Sequence, residues 1–224
     1  MSRPPDFNRL AAPYRWMEYF TFGPWLSRCR YAFLPQLGAC RRALVLGDGD
    51  GRFTARLLRA NPAVSIDAVD ASPAMLRALL HRAGPNAARV RTHLADVRHW
   101  QPATPLNDSD LPYDLIATHF FLDCLTTEEV QLLANRMSRV ASPSALWLVS
   151  EFAIPAGWYG RLVARPLVWA LYRAFGWLTG LTVRTLPDHQ SVLRSAGFTL
   201  QRRRTWLAGL LIAELWSASP PNSA

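Results

Sequence analysis

The 224-residue sequence contains no lysine, so all 25 of its basic residues are arginine. A Walker A phosphate-binding loop requires a lysine and is therefore excluded. The three cysteines, Cys29, Cys40 and Cys124, lack the C-x-x-C spacing of a zinc ribbon. Because their number is odd, a disulfide framework is not expected. No metal site is expected either, because no His, Cys or Asp cluster has the spacing of metal ligands.

Long uninterrupted apolar runs are also missing from the sequence. The longest apolar stretch, residues 162–183, is broken by Arg165, Pro166 and Arg173 and fails as a membrane span. The first residues lack the apolar segment of a secretory signal. We therefore expect a reduced, cytoplasmic protein, and the sequence leaves contact with the inner face of the membrane open.

The overall composition indicates a folded protein with an excess of positive charge. Half of the residues are hydrophobic and 18% are charged, which excludes disorder over most of the chain. The length fits one domain with a sizeable insertion. The net charge of +9 permits contact with nucleic acid or an anionic membrane without proving either.

Apolar runs alternate with helix-patterned segments from residue 42 to residue 152, which predicts a parallel sheet with crossover helices. We predict strands at 43–46, 64–69, 89–95, 113–118 and 146–151, and helices at 52–60 and 73–83. Ser72 is the predicted N-cap of the second of these helices. A further helix begins at a capping box formed by Thr126 and Glu129. A last helix at 188–196 precedes two strands, 198–206 and 210–216, that form a hairpin.

Three glycines, Gly47, Gly49 and Gly51, recur at every second position between the first strand and the first helix. Glycines let the backbone turn tightly and approach a ligand without a Cβ in the way. The helix behind them offers free N–H groups to a polar ligand. The dinucleotide pattern G-x-G-x-x-G fails in both registers, because Arg52 and Thr54 stand where it needs glycine.

Two carboxylates end the next two strands. Asp70 closes the second strand about 20 residues after the glycine turn, where a ribose-binding carboxylate falls in nucleotide-binding βαβ units. Its two oxygens can accept both ribose hydroxyls. Asp96, followed by Val97, closes the third strand and could accept a proton from an adenine amino group.

Together these residues resemble the class I S-adenosylmethionine-dependent methyltransferases. The three glycines match the first motif of that family, Asp70 the second, Asp96 the third and residues 113–119 the fourth. The resemblance covers about residues 41–217. It implies an α/β fold with a Rossmann-like, seven-stranded, mostly parallel sheet whose last strand is antiparallel, matching the predicted hairpin.

The resemblance also implies a cofactor and the residues that bind it. The cofactor is S-adenosyl-L-methionine, and S-adenosyl-L-homocysteine is the product. The sequence departs from the family pattern at Val45, where an acidic residue is common. It also departs at Asp48 and Asp50. Their charges would suit a ligand with a sulfonium and an ammonium group, and the alternative is that both are solvated turn residues. The expected cofactor-binding residues are Tyr14, Gly47, Asp48, Gly49, Asp50, Gly51, Asp70, Ala71, Met75, Asp96, Val97, Thr118 and His119.

The amino-terminal segment carries a second, shorter resemblance. Residues 7–18 are similar to the F-x-x-I-A-x-x-Y-D opening of ubiquinone and menaquinone C-methyltransferases, with Arg15 where that group has aspartate. Tyr14 corresponds to the tyrosine of the opening, which in that group folds over the cofactor. We expect a helical lid over residues 1–40, and an amphipathic helix packed on the sheet edge is the alternative.

Three residues are candidates for catalysis. His119 ends the fourth strand, where in the family the methyl group and the acceptor meet, and its pKa suits a proton acceptor. The alternative is a histidine that only packs beside Phe120 and Phe121. Asp123 and Glu151 are further candidates, although Asp123 could simply cap the next helix. Cys124 is expected to be buried filler.

Residues 156–182 form an aromatic insertion between the fifth and sixth strands. We expect helices that form the roof of an acceptor pocket, within a methyltransferase domain spanning residues 41–217. Aromatics mixed with arginines are also typical of segments at a membrane interface, so peripheral membrane contact stays open. Residues 218–224 are expected to be a frayed tail.

The sequence thus predicts methyl transfer to a small, largely apolar acceptor that is aromatic, quinone-like or lipid-linked. Nucleic-acid methylation is an alternative, but residues 118–121 do not form the N-P-P-Y-like motif of such enzymes. The Arg202, Arg203 and Arg204 cluster would be split between two faces of a strand. The remaining alternative is a cofactor-binding or membrane-peripheral protein without catalysis.

Overall fold

A computed structural model describes residues 22–102, 112–179 and 185–218. Seven strands form one sheet: β1 (Arg42–Leu46), β2 (Ser65–Asp70), β3 (Val90–Leu94), β4 (Tyr113–His119), β5 (Ala141–Phe152), β6 (Phe198–Trp206) and β7 (Leu211–Ala218). The α-helices are α1 (Pro24–Arg30), α2 (Arg52–Ala60), α3 (Pro73–Ala83), α4 (Thr127–Val140), α5 (Arg165–Thr179) and α6 (His189–Ser195). Short 3-10 turns lie at Leu34–Leu37, Gly84–Arg89, Leu122–Cys124 and Leu207–Gly209, and a π-helical turn, Gly160–Ala164, leads into α5.

The spatial order of the strands is β3-β2-β1-β4-β5-β7-β6. The first five strands are parallel, and β7 runs antiparallel to both β5 and β6. This confirms the predicted Rossmann-like sheet with an antiparallel last strand. The chain order reverses at β1, which lies between β2 and β4. Open α/β sheets bind their ligands beyond the carboxyl ends of the strands at such a switch point.

Strand β1 is buried along its whole length. Ala43 and Val45 pack into the core on one face of the sheet, and Leu44 and Leu46 pack into the core on the other. A continuous apolar run is typical of a strand covered by helices on both faces. Burial on both faces therefore fixes β1 at the centre of the sheet, with the glycine loop at its carboxyl end.

Several predicted local structures are confirmed. Helix α2 spans the predicted residues, the side chain of Ser72 caps α3, and Thr126 and Glu129 form the predicted capping box of α4. The hairpin turn between β6 and β7 has positive φ at Leu207, Ala208 and Gly209.

Strand β5 is longer than predicted. The extended chain begins at Ala141, directly after α4, and Ala141 pairs with Tyr113 of β4. The register then shifts, and regular pairing resumes between Leu146 and Leu115. The bulge removes the alternating pattern that would have predicted this part of the strand.

Among residues 22–102, 112–179 and 185–218, no helix is long and apolar enough to cross a membrane. The same residues contain no group of three or more His, Cys, Asp or Glu side chains that could hold a metal ion.

Candidate active site

The three glycines of the loop after β1 meet different surroundings. All three have positive φ, which favours glycine. A Cβ at Gly47 would overlap the ring of Phe121, and a Cβ at Gly51 would lie within 2.8 Å of Leu79 in α3. A Cβ at Gly49 would approach only Met75, with 3.9 Å to its Sδ. Packing therefore requires glycine at 47 and 51, whereas the space beside Gly49 is open.

The two acidic residues of this loop are held by the protein. The carboxylate of Asp48 accepts hydrogen bonds from the backbone N–H groups of Phe53 and Thr54, at 3.3 and 2.8 Å, and so caps α2. Asp50 forms ion pairs with Arg52 and Arg82, at 3.2 and 2.7 Å. Both carboxylates are thus engaged by protein groups, whereas the alternative stated from the sequence was solvated turn residues.

Asp70 ends β2 beside the glycine loop. Its Oδ1 accepts a hydrogen bond of 2.8 Å from the backbone N–H of Ser72. Burial raises the pKa of Asp70 to about 6, although the N–H groups of Ser72 and Gly49 partly offset this effect. A carboxyl group held by backbone next to an open glycine suits the two hydroxyls of a ribose.

Asp96 follows β3 and forms a bidentate pair with the guanidinium of Arg98. Burial acts to raise the pKa of Asp96, but the hydrogen bonds and charge of Arg98 outweigh it and lower the pKa. The carboxylate is ionised, and Arg98 donates hydrogen bonds to both of its oxygens. Val97 beside it is buried in the core.

The remaining predicted cofactor residues fall into three groups. Met75 is buried next to the open side of Gly49, and Ala71 is exposed after β2. The hydroxyl of Thr118 accepts a hydrogen bond from the indole of Trp147 within the core. Tyr14 and most of the predicted lid lie outside the described residues; the described end of that segment contains α1.

The open side of Gly49 together with the carboxyl of Asp70 fits the cofactor implied by the sequence. A methionine-bearing nucleoside needs backbone that it can approach closely and a carboxylate for its ribose. Among the described residues, this combination occurs at the carboxyl end of β1 and β2. Asp70 and the loop backbone would therefore hold the nucleoside of S-adenosylmethionine.

His119 is buried on the core side of β4. Its Nδ1 lies 3.0 Å from the hydroxyl of Ser150, and its ring packs against Phe53 with 4.3 Å between ring centroids. Burial, with the charge of Arg30, lowers the pKa of His119 well below its usual value. A neutral, enclosed imidazole with such a low pKa is a weak proton acceptor.

Glu151 lies at the carboxyl end of β5 and is 2% exposed. Its Oε1 accepts hydrogen bonds from the backbone N–H groups of Phe121 and Leu122, at 3.0 and 2.8 Å. Its Oε2 is buried and has no hydrogen-bond partner among the described residues. Burial and the neighbouring charge of Asp123 raise the pKa of Glu151 well above its usual value. The protonated form of Glu151 is therefore favoured.

Asp123 lies in the 3-10 turn after β4. Burial raises the pKa of Asp123 to about 6, so a large part of it is ionised at neutral pH. Glu151 and Asp123 are thus adjacent carboxyl groups, and ionisation of one disfavours ionisation of the other. Glu151 favours the protonated state, and Asp123 ionises more readily.

A cavity of about 270 Å³ opens beside these two carboxyls. Its polar lining is Asp123, Glu151, Asp188, His189 and Gln190, and its apolar lining is Phe152, Ala153, Ile154, Leu186, Pro187 and Ile212. The segments 152–154 and 186–190 flank the aromatic insertion, so both ends of the insertion contribute walls. The insertion residues Trp158 and Trp169 are exposed instead, at 68% and 60%.

Two features of the site were not predicted from the sequence. Phe121 links the glycine loop to the cavity, because its ring lies on Gly47 while its N–H holds Glu151. Glu214, fully buried in β7, accepts hydrogen bonds from His189 and Gln190 and thereby fixes the cavity wall. These contacts join residues far apart in the chain, and no local pattern signals them.

Comparisons with known proteins find similarity to methyltransferases. The profile of a family described as a methyltransferase domain matches residues 43–144. Trans-aconitate 2-methyltransferase from Mycobacterium sp. (strain KMS) is 28% identical over 207 residues, which cover 90% of this chain and 74% of the relative.

Solved structures show the same fold. The S-adenosylmethionine-dependent methyltransferase SibL aligns with a TM-score of 0.64 at 24% identity, over 98% of this chain and 63% of that one. An O-methyltransferase family protein from Burkholderia thailandensis aligns with a TM-score of 0.68 at 15% identity, over 96% of this chain and 61% of that one. This chain thus spans less than two thirds of either structure.

The order and direction of the strands define a Rossmann-like methyltransferase fold. The matching domain profile over residues 43–144 and the similar relatives support a class I S-adenosylmethionine-dependent methyltransferase. Its cofactor is S-adenosylmethionine, and S-adenosylhomocysteine is the product, as the sequence predicts.

Proposed function

We propose that the protein transfers a methyl group from S-adenosylmethionine to a small, largely apolar, uncharged acceptor that carries a hydroxyl group, such as a phenol or a quinol. The observation that carries this proposal is the cavity beside Glu151 and Asp123. It lies at the carboxyl end of β5 and the amino end of the antiparallel β7, on the same edge of the sheet as the glycine loop.

The separation between the two parts of the site supports this proposal. Strand β4 lies between β1 and β5, so the ends of β1 and β5 are about 10 Å apart at ordinary strand spacing. Phe121 lies between them, in contact with Gly47 and hydrogen-bonded to Glu151. An acceptor in the cavity can thus reach a methyl group presented above the loop.

The cofactor, when bound, supplies an electrophilic methyl group on a sulfonium. The chain's own residues would position the acceptor and handle its proton. The apolar walls exclude water, which favours in-line alignment of the reactants. The Glu151 O–H would donate a hydrogen bond to the acceptor, and the ionised Asp123 carboxylate would take the hydroxyl proton as the new bond forms.

The charges of the cavity favour an uncharged acceptor. Three of its lining residues, Asp123, Glu151 and Asp188, are carboxylic acids, and no arginine lines it in the part of the chain that the structure describes. His189 is engaged by Glu214. The related mycobacterial enzyme is named for trans-aconitate, an anion, and such an acceptor would be repelled here unless an arginine paired with it.

Radiolabelled methyl transfer to a panel of acceptors tests this proposal. We expect transfer to neutral phenols and quinols, and little transfer to trans-aconitate or other polycarboxylates. If a polycarboxylate were the preferred acceptor in this panel, the proposed reading of the cavity would be wrong.

A further inference from the structure

The chain between Glu151 and Asp188 contains no acidic residue. The same 152–187 segment contains four arginines and holds the whole aromatic insertion. A segment with only positive charges, on a surface helix, presents a basic face to its surroundings.

The outer face of the insertion also exposes large apolar side chains. Trp158, Leu162 and Trp169 are 68%, 72% and 60% exposed. They are four and seven residues apart, a spacing that places side chains on one face of a helix. Single exposed apolar residues are ordinary, but three on one face form a patch that needs a partner.

Arginines are interspersed with these apolar residues. Arg161, Arg165 and Arg173 are all exposed, and the guanidinium of Arg173 lies 5.3 Å above the ring of Trp169. We call these three arginines, with Trp158, Leu162 and Trp169, the insertion patch.

The opposite face of the insertion is anchored to the domain. Gly160, Ala164 and Val168 are buried, and a Cβ at Gly160 would collide with the backbone oxygen of Pro155. Because these residues recur every four positions, they form the inner stripe of the helix. The insertion patch is therefore the outer surface of an element that is already docked.

We propose that the insertion patch binds the surface of an anionic lipid bilayer. Tryptophan and leucine can insert at the boundary between headgroups and acyl chains, while the arginines contact lipid phosphates. A second copy of the chain fits less well, because a two-fold symmetric contact would bring like-charged arginines together.

Binding of the insertion patch to a bilayer would affect the cavity, because the two are adjacent in the chain. Ala153 and Ile154 line the cavity and lead directly into the insertion. Bilayer contact would thus place the walls of the cavity near the lipid, where an apolar acceptor would be concentrated. The membrane proposal itself does not depend on the identity of the acceptor.

Vesicle flotation of the full chain tests the proposal, using phosphatidylcholine vesicles with and without phosphatidylglycerol. We expect flotation with the anionic vesicles at low salt and its loss at high salt. Replacing Arg161, Arg165 and Arg173 by glutamine should lower the partition coefficient on the order of 100-fold. Replacing Trp158, Leu162 and Trp169 by serine should lower it on the order of tenfold or more.

Matched controls use exposed residues elsewhere on the domain. Arg59, Arg77 and Arg139 replaced by glutamine, and the exposed Leu132 replaced by serine, should leave vesicle binding unchanged. Binding of S-adenosylmethionine, measured by calorimetry on every variant, reports whether each one is folded and separates this test from that of methyl transfer.

Three outcomes would overturn the proposal. The first is no flotation of the wild type with anionic vesicles at low salt. The second is an equal loss of binding in the control variants, which would indicate unspecific attraction to the net positive charge. The third is concentration-dependent dimerisation, abolished by the serine variant, in a protein that does not bind vesicles.

Discussion

The backbone N–H of Phe121 donates a hydrogen bond of 3.0 Å to Oε1 of Glu151. This contact ties the turn after β4 to the end of β5 and leaves Oε2 of Glu151 buried without a partner among the described residues. Glu151, whose pKa is raised, thus lines the cavity next to the more readily ionised Asp123.

Variants of the two carboxyls should separate a hydrogen-bond donor from a base. Glu151→Gln keeps a donor in the cavity, so we expect kcat/KM within about tenfold of the wild type. Asp123→Asn removes the proton acceptor and should lower kcat on the order of 100-fold or more. Steady-state methyl transfer at saturating cofactor measures both. Equal losses in the two variants would contradict the assignment of roles.

The pH dependence of transfer should report Asp123. Because the pKa of Asp123 is raised to about 6, its base form increases as the pH rises through that value. We expect kcat to rise through pH 6 and this rise to disappear in Asp123→Asn. His119→Gln should keep the same profile, since a fully enclosed imidazole of very low pKa does not titrate there. A profile that changes in His119→Gln instead would make the histidine the base.

Asp70 should control cofactor affinity in the same pH range. Asp70→Asn should weaken binding of S-adenosylmethionine by about 1–3 kcal/mol, because one ribose hydroxyl loses its acceptor. In the wild type, affinity should fall as the pH drops below about 6 and the carboxyl is protonated. Calorimetry across this range measures both effects. Glu128→Gln, at an exposed position of α4, is the control, and an equal loss there would remove the assignment.

The glycines of the loop should differ in what their substitution costs. Gly49→Ala has space for its methyl group, so only the positive φ should cost stability, about 1–2 kcal/mol. Gly84→Ala, also at positive φ and in open space, is the control for a cost that comes from the backbone alone. Only the Gly49 variant should lose cofactor binding, because its methyl group enters the ligand side of the loop.

Gly51→Ala should instead mainly destabilise the fold. Its methyl group would meet Leu79 of α3, including the backbone, at 2.6–2.8 Å. Overpacking together with the backbone strain should cost about 2–4 kcal/mol in denaturant unfolding. A Gly51 variant as stable as the Gly49 variant would show that the loop can shift away from α3.

Glu214 should contribute to the stability of the fold and, because it holds His189 and Gln190, to binding of the acceptor. Burial acts to raise the pKa of Glu214, but hydrogen bonds and charges from His189 and Arg203 outweigh it and lower the pKa. The ionised carboxylate therefore stabilises the fold above its unfolded pKa, and this contribution is lost as the pH falls. Glu214→Gln should cost about 3 kcal/mol near neutral pH.

The same variant should raise KM for the acceptor while the affinity for S-adenosylmethionine is unchanged, because His189 and Gln190 line the cavity and not the glycine loop. Kinetics for the acceptor and calorimetry for the cofactor distinguish the two. A parallel loss of both affinities would mean that Glu214 supports the whole domain and not this wall.

The sequence by itself determined the order of strands and helices, and it predicted where the cofactor binds. The reason is that these signals are local: a buried apolar run, a glycine turn and carboxylates at strand ends each lie within a few residues. The class of protein followed from their conjunction. The capping residues Ser72 and Thr126 were predictable for the same reason.

Only the tertiary structure decided what each site residue contacts. It directs Asp48 to the amino terminus of α2, encloses His119 against Phe53, and leaves the space beside Gly49 open. It also brings Glu151, Asp123 and the 186–190 segment around one cavity. Burial and pairing depend on neighbours that are distant in the chain, and these neighbours determine which carboxyls hold a proton and which only cap a helix.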